Sequence, residues 1–138
     1  IDGVWLGRMP DAGAVLAMPT VVDVCAELPF RSSVRHYRSV PMLDLATPSP
    51  EALRRAADAI THGHRRGQVL VCCALGYSRS AAAVATWLCR SGHADSADAA
   101  IRLLRLDCPW IVLHERHRDA IALAVQAQHA HDAPGVQA

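Results

Sequence analysis

Cys73 and Arg79 are separated by five residues in Val69-Leu-Val-Cys-Cys-Ala-Leu-Gly-Tyr-Ser-Arg-Ser80, between an apolar run and a helix-forming run. A thiolate at Cys73 and a guanidinium at Arg79 can close around one tetrahedral oxyanion, with the amides of the intervening loop pointing inward. That combination suits the removal of phosphate from an ester. The spacing alone is weak evidence. With 5 cysteines and 14 arginines (there is no lysine) in 138 residues, chance supplies about 0.5 such pairs. A second pair indeed exists: Cys25-Ala-Glu-Leu-Pro-Phe-Arg31, also followed by a serine, Ser32.

The loop interiors separate the two. In the Cys25 segment Glu27 would repel a phosphate, Pro29 has no N–H to donate, and no glycine lets the backbone curl. In the Cys73 segment Gly76 allows positive φ and close backbone approach, every residue keeps its N–H, and no side chain is acidic. Requiring the glycine and a serine after the arginine lowers the chance expectation to about 0.002. Ala74, Leu75, Gly76, Tyr77, Ser78 and Arg79 are therefore the candidate phosphate-binding amides.

A leaving alkoxide or phenoxide needs a proton, so a carboxylic acid must reach the loop from elsewhere. Asp44, in Pro41-Met-Leu-Asp-Leu-Ala-Thr-Pro48, is the best placed; a turn-capping aspartate is the equal alternative reading. Asp23 falls inside a strand, Glu51 at a helix start, and Asp107 between late helices. Ser80 can hydrogen-bond the sulfur or simply cap a helix.

These residues need a frame. Gly3 to Gly7 reads as an edge strand, Pro10 to Ala17 as a short helix, and Val21 to Cys25 as a buried strand. Arg35 to Val40 is a third strand ending at Pro41, and Met42 to Pro48 a loop. Ser49 caps a helix with Pro50 in its first turn, ending at Gly63. Gln68 to Cys72 is a central strand. Ser80 to Arg90 spaces Ala83, Val84, Trp87 and Leu88 as one apolar helical face. Asp95 or Ser96 caps a helix to Leu106, Pro109 breaks it, and Leu113 to Gln128 is the last, leaving 129–138 as a flexible tail behind a single domain, 1–128. Strands followed by helices imply an α/β fold with a short central sheet flanked by helices. A thiol at a strand's carboxyl end, before a helix amino terminus, lies where such sheets bind ligands, and the positive groups there stabilise the thiolate.

A net charge of +1 without a run of like charge argues against a nucleic-acid surface. Basic residues gather modestly at Arg31 to Arg38 and His62 to Arg66 and read as solvated surface. Five irregularly spaced cysteines imply reduced thiols and a cytoplasmic setting, and no apolar run approaches a membrane span. The chain opens without methionine and reads as a piece of a longer polypeptide, so a membrane-attached parent stays open.

Cys73-Ala-Leu-Gly-Tyr-Ser-Arg79-Ser80 with Asp44 upstream resembles the dual-specificity branch of the cysteine-dependent protein tyrosine phosphatases. Val4-Trp-Leu-Gly7, Val21-Val-Asp-Val24 and the Pro41 to Pro48 loop are similar to the strands and acid loop of bacterial members. The resemblance implies a four- or five-stranded sheet, no cofactor, a monomer, and two-step hydrolysis of a phosphomonoester. Cys73 would attack phosphorus, Arg79 and the loop amides bind its oxygens, Asp44 protonate the leaving group, and Ser80 assist the sulfur. A phosphoprotein is the implied substrate; a phospholipid monoester, a catalytically weak phosphate-binding module and a sulfurtransferase of the rhodanese kind are the alternatives. Two positions depart from the pattern. Cys72 stands where members carry a histidine that orders the loop, and Cys108 precedes Pro109 where relatives often have arginine. Cys72 reads as a small buried strand residue facing away from Cys73, with disulfide trapping of Cys73 by Cys72 or Cys25 as the minority reading. The close histidine pairs lack zinc-motif spacing and read as solvent-facing, and Trp87 and Trp110 as packing residues.

Overall fold

The computed structural model describes residues 1, 3–10, 20–28 and 34–131, the last five of these as backbone only. The expected helix over 10–17 and the residues from Pro29 to Ser33 lie almost wholly or wholly outside that set. Four strands, β1 (Val4–Arg8), β2 (Thr20–Cys25), β3 (His36–Met42) and β4 (Val69–Cys73), form one parallel sheet in the order β1-β4-β2-β3. Four helices follow in chain order: α1 (Pro50–His64) between β3 and β4, then α2 (Arg79–Arg90), α3 (Ala97–Asp107) and α4 (Glu115–His131).

Strand alternation sorts the core. Val22, Val24, Val69, Val71 and Cys73 face the helices and join the main hydrophobic cluster with Leu53, Ile60, Trp87, Leu88 and Ile121. Val21, Leu70 and Cys72 face the other way, with Met9 and Val34. Cys72 and Cys73 therefore lie on opposite faces, and burial pushes the Cys72 thiol far up, away from ionisation. On that second face Asp23 is buried, accepting from the Cys25 amide at 2.9 Å and the Tyr37 hydroxyl at 2.6 Å. Burial and then Asp23 push Tyr37 up to about 12.

Several boundaries move from the sequence expectation. The third strand runs through Pro41 to Met42, because β3 is an edge strand and an imino nitrogen there leaves no ladder bond unmade. Ser49 caps α1 as expected, accepting from the Ala52 amide at 3.1 Å, but the helix passes Gly63 and ends at His64. Gly63 is a packing residue: an added Cβ would come within 2.7 Å of Thr20 Cγ2 and 2.9 Å of Val69 Cγ2. Helix α2 is buried at every position from Arg79 to Leu88 rather than along one face, because it is wedged between the sheet and the other three helices. Its alanines at 81, 82, 83 and 85 permit that close approach. Ser96 caps α3, and α4 continues to His131, past the start expected for the tail.

Candidate active site

The loop 74–78 joins the carboxyl end of central strand β4 to the first residue of α2, Arg79. Its curl depends on Gly76, at φ +76°, where a Cβ would sit 2.6 Å from the Gly7 carbonyl carbon and 2.7 Å from the Arg8 nitrogen. Any side chain there is strained twice, by the left-handed backbone and by collision with β1. The curl brings the Gly76 amide to 3.2 Å from Cys73 Sγ, and Ser80 Oγ lies 3.3 Å from the same sulfur. The Val112 amide donates to the Tyr77 carbonyl at 2.8 Å, tying the α3–α4 connection to the loop.

Arg79 is buried beneath the loop. Its Nη1 and Nη2 each donate to Glu27 at 2.6 Å, a bidentate pair, and Nη1 also donates to the Met42 carbonyl at 3.0 Å. The guanidinium holds the Glu27 carboxyl down at about 2, although that side chain remains 41% exposed. The same pair, acting against burial, raises Arg79 further from deprotonation. Of the five N–H groups on a guanidinium, the Nε–H and one Nη2–H remain for a ligand. Asp44 Oδ1 lies 3.5 Å from Nη2, with its side chain largely exposed. Leu45 follows at φ +58°, an unusual conformation for leucine, and is 86% exposed.

Cys73, Arg79, Asp44, Leu75, Tyr77, Ser78 and four residues from beyond α3 line one hollow. Thus the structure brings together Cys73, Arg79, Asp44 and Ser80, which the sequence separates into two segments. Sequence reasoning missed two sets of neighbours. Glu27, discounted as hostile to phosphate, is the ion-pair partner of Arg79. Val112, His114, Arg116 and His117 form the far wall of the hollow. His117 is buried, 3% exposed, and is not solvent-facing: its Nδ1 accepts from the His114 amide at 3.0 Å, and burial lowers its affinity for a proton. Trp87 packs as expected, stacked on His93 and edge-on to His64, whereas Trp110 is half exposed. Among the described residues no three His, Cys, Asp or Glu side chains converge as a metal set, and no helix is long and apolar enough to cross a membrane.

This arrangement has counterparts. A search of curated proteins returns no match. Among solved structures the fold is shared with Tk-PTP in its active form (23% identity, TM-score 0.80, covering 91% of this chain and 93% of that one). It is shared too with human DUSP28 (22%, 0.81, 96% and 97%) and with PTPMT1 in complex with PI(5)P (18%, 0.81, 94% of each). The family model for the dual specificity phosphatase catalytic domain matches residues 4–126, from the first residue of β1 into α4. That span takes in Asp44, the 74–78 loop and Ser80, and the chain belongs to the dual-specificity phosphatase catalytic domain family.

Proposed function

We propose that the chain is an active phosphomonoester hydrolase working through a phosphocysteine intermediate, with phosphoproteins as its principal substrates. The observation that carries this reading is the convergence of a main-chain amide and a serine hydroxyl on Cys73 Sγ, at 3.2 and 3.3 Å, beside a buried arginine with two uncommitted donors.

A phosphoryl group enters over Cys73 with its equatorial oxygens on the 74–79 amides and on Arg79 Nε–H and Nη2–H. The sulfur attacks phosphorus as the bond to the leaving oxygen breaks, and Asp44 gives that oxygen its proton. The resulting Asp44 carboxylate then takes a proton from water as the water oxygen attacks phosphorus. The departing sulfur is stabilised by the Ser80 hydroxyl and the Gly76 amide. Glu27 and the Met42 carbonyl fix the plane of the guanidinium, so its two remaining N–H groups are aimed before substrate arrives. Cys72, in place of a loop-ordering histidine, contributes no polar contact to this cradle.

The hollow, about 280 Å³, is walled by Leu45, Leu75, Tyr77 and Val112, all exposed, with Arg116 and His114 at one side. A phosphotyrosine ring suits apolar walls with neutral loop side chains. Those exposed leucines also favour a second reading, a phospholipid monoester whose glycerol and acyl portion would lie against them.

The test is turnover of an aryl phosphate, then of phosphopeptides and lipid phosphates, by the wild type and Cys73→Ser. Vanadate-sensitive, chelator-insensitive hydrolysis lost in the variant supports the reading. Full activity in Cys73→Ser refutes it, and turnover of lipid phosphates with silent phosphopeptides selects the second substrate class.

A further inference from the structure

At the opposite end of the sheet the structure joins two basic clusters that the sequence keeps apart. Arg35, His36 and Arg38, around the start of β3, meet His62 and Arg66, in and after the last turn of α1, around a hollow of about 210 Å³ floored by Thr20. A second hollow, of about 440 Å³, shares Arg38 and His62 with the first and ends at Arg55. Among the described residues the only carboxylate lining either is Asp58, and Arg90 holds it at 3.0 Å. Among the described residues none of Arg35, Arg38, Arg55 and Arg66 has a carboxylate within 4.0 Å.

The internal contacts of the trough are those of cations awaiting an anion. Arg66 reaches His36 Nε2 at 3.3 Å and His62 Nε2 at 3.4 Å. A guanidinium only donates, so in each of these contacts the imidazole nitrogen is the acceptor. Basic side chains in a last helical turn offset the helix dipole, which amounts to roughly half a negative charge. Of the four arginines only Arg66, just past the end of α1, is placed to meet that need. Burial, then Arg66 and Arg35, lower the proton affinity of His36, as mutual repulsion among unpaired cations requires. The Thr20 hydroxyl on the floor is buried and has no hydrogen-bond partner among the described residues, which is unusual for a buried polar atom.

We propose that this trough is a second anion-binding site, remote from Cys73, for a small soluble ligand carrying two or more phosphoryl groups. Guanidinium forks match phosphoryl oxygens in pairs, and the two adjoining hollows with shared Arg38 hold one group near Arg66 and another toward Arg55. Among the described residues Tyr37 is the one exposed large hydrophobic side chain in the lining, and its hydroxyl donates to the buried Asp23, so the walls offer arginines and histidines rather than an apolar face.

Inorganic pyrophosphate is the probe, read by the imidazole NMR signals of the intact protein, assigned through His36→Asn and His62→Asn. Binding at the trough moves His36 and His62 saturably, whereas binding in the catalytic hollow moves His114 and His117, so the two sites are read separately. Arg38→Gln with Arg66→Gln should weaken the first titration at least tenfold, with aryl phosphate turnover unchanged as the control for folding. The proposal is overturned if His36 and His62 do not saturate in the wild type. It is equally overturned if sodium chloride at matched ionic strength reproduces their shifts, or if the double variant binds pyrophosphate as the wild type does.

Discussion

The carboxyl ends of β2 and β4 each carry a cysteine with an arginine six positions on, yet they do opposite things. After β4 the chain curls through Gly76, returns an amide to Cys73 Sγ and enters a helix at Arg79. After β2, Cys25 is buried in the strand end and Glu27 reaches across to grip Arg79. One segment forms the proposed phosphate cradle, and the other supplies the carboxylate that pairs with Arg79. A spacing shared by two segments thus says little; the backbone conformation that follows the cysteine decides whether the sulfur faces a ligand or a core.

The most damaging way to erase the difference is to remove the curl. Gly76→Ala should lower aryl phosphate turnover on the order of 10³-fold and cost about 1–3 kcal/mol of stability, read by steady-state kinetics and denaturant unfolding. Next is the proposed proton donor. Asp44→Asn should slow substrates with poor leaving groups by about 10²-fold or more and good ones far less, a split visible in a leaving-group series.

Glu27→Gln tests the second segment directly. With the aiming carboxylate gone, turnover should fall roughly tenfold, mainly through weaker phosphate binding. Its acid stability gives an independent readout. The Glu27 carboxyl is depressed from its ordinary 4.5 to about 2 in the fold, so its contribution is fully present above pH 4.5 and is lost as pH falls toward 2. Melting curves across that window should show the wild type losing more stability than Glu27→Gln. Parallel curves would show that the ion pair does not stabilise the fold. The smallest effect belongs to Cys25→Ala, which should leave turnover within about twofold and cost about 1 kcal/mol through lost packing.

The Cys73 loop was legible in the sequence because its chemistry is local: a strand, a glycine, an arginine and a helix start within twelve residues. The helix cap at Ser49 and the opposed faces of Cys72 and Cys73 were legible for the same reason, one from a side chain bonding three residues on and the other from strand alternation. What the sequence hid depends on packing between distant segments. Glu27 looked like a reason to dismiss its own segment, since nothing in Cys25-Ala-Glu shows that β2 ends beside the start of α2. Gly63 looked like a helix stop, whereas Thr20 and Val69, on two different strands, require its missing side chain. His114, Arg116 and His117 reach the catalytic hollow only because the Val112 amide pins their connection to Tyr77.

The central claim is that Cys73, and no other cysteine, carries the phosphoryl group. Acid quenching during turnover of an aryl phosphate, followed by peptide mass spectrometry, tests it most directly. The account predicts a phosphoryl adduct on Cys73 that builds up in Asp44→Asn, where hydrolysis of the intermediate is slowed, and that is absent in Cys73→Ser. Turnover with no adduct on Cys73, or an adduct on Cys25 or Cys72 instead, would contradict it.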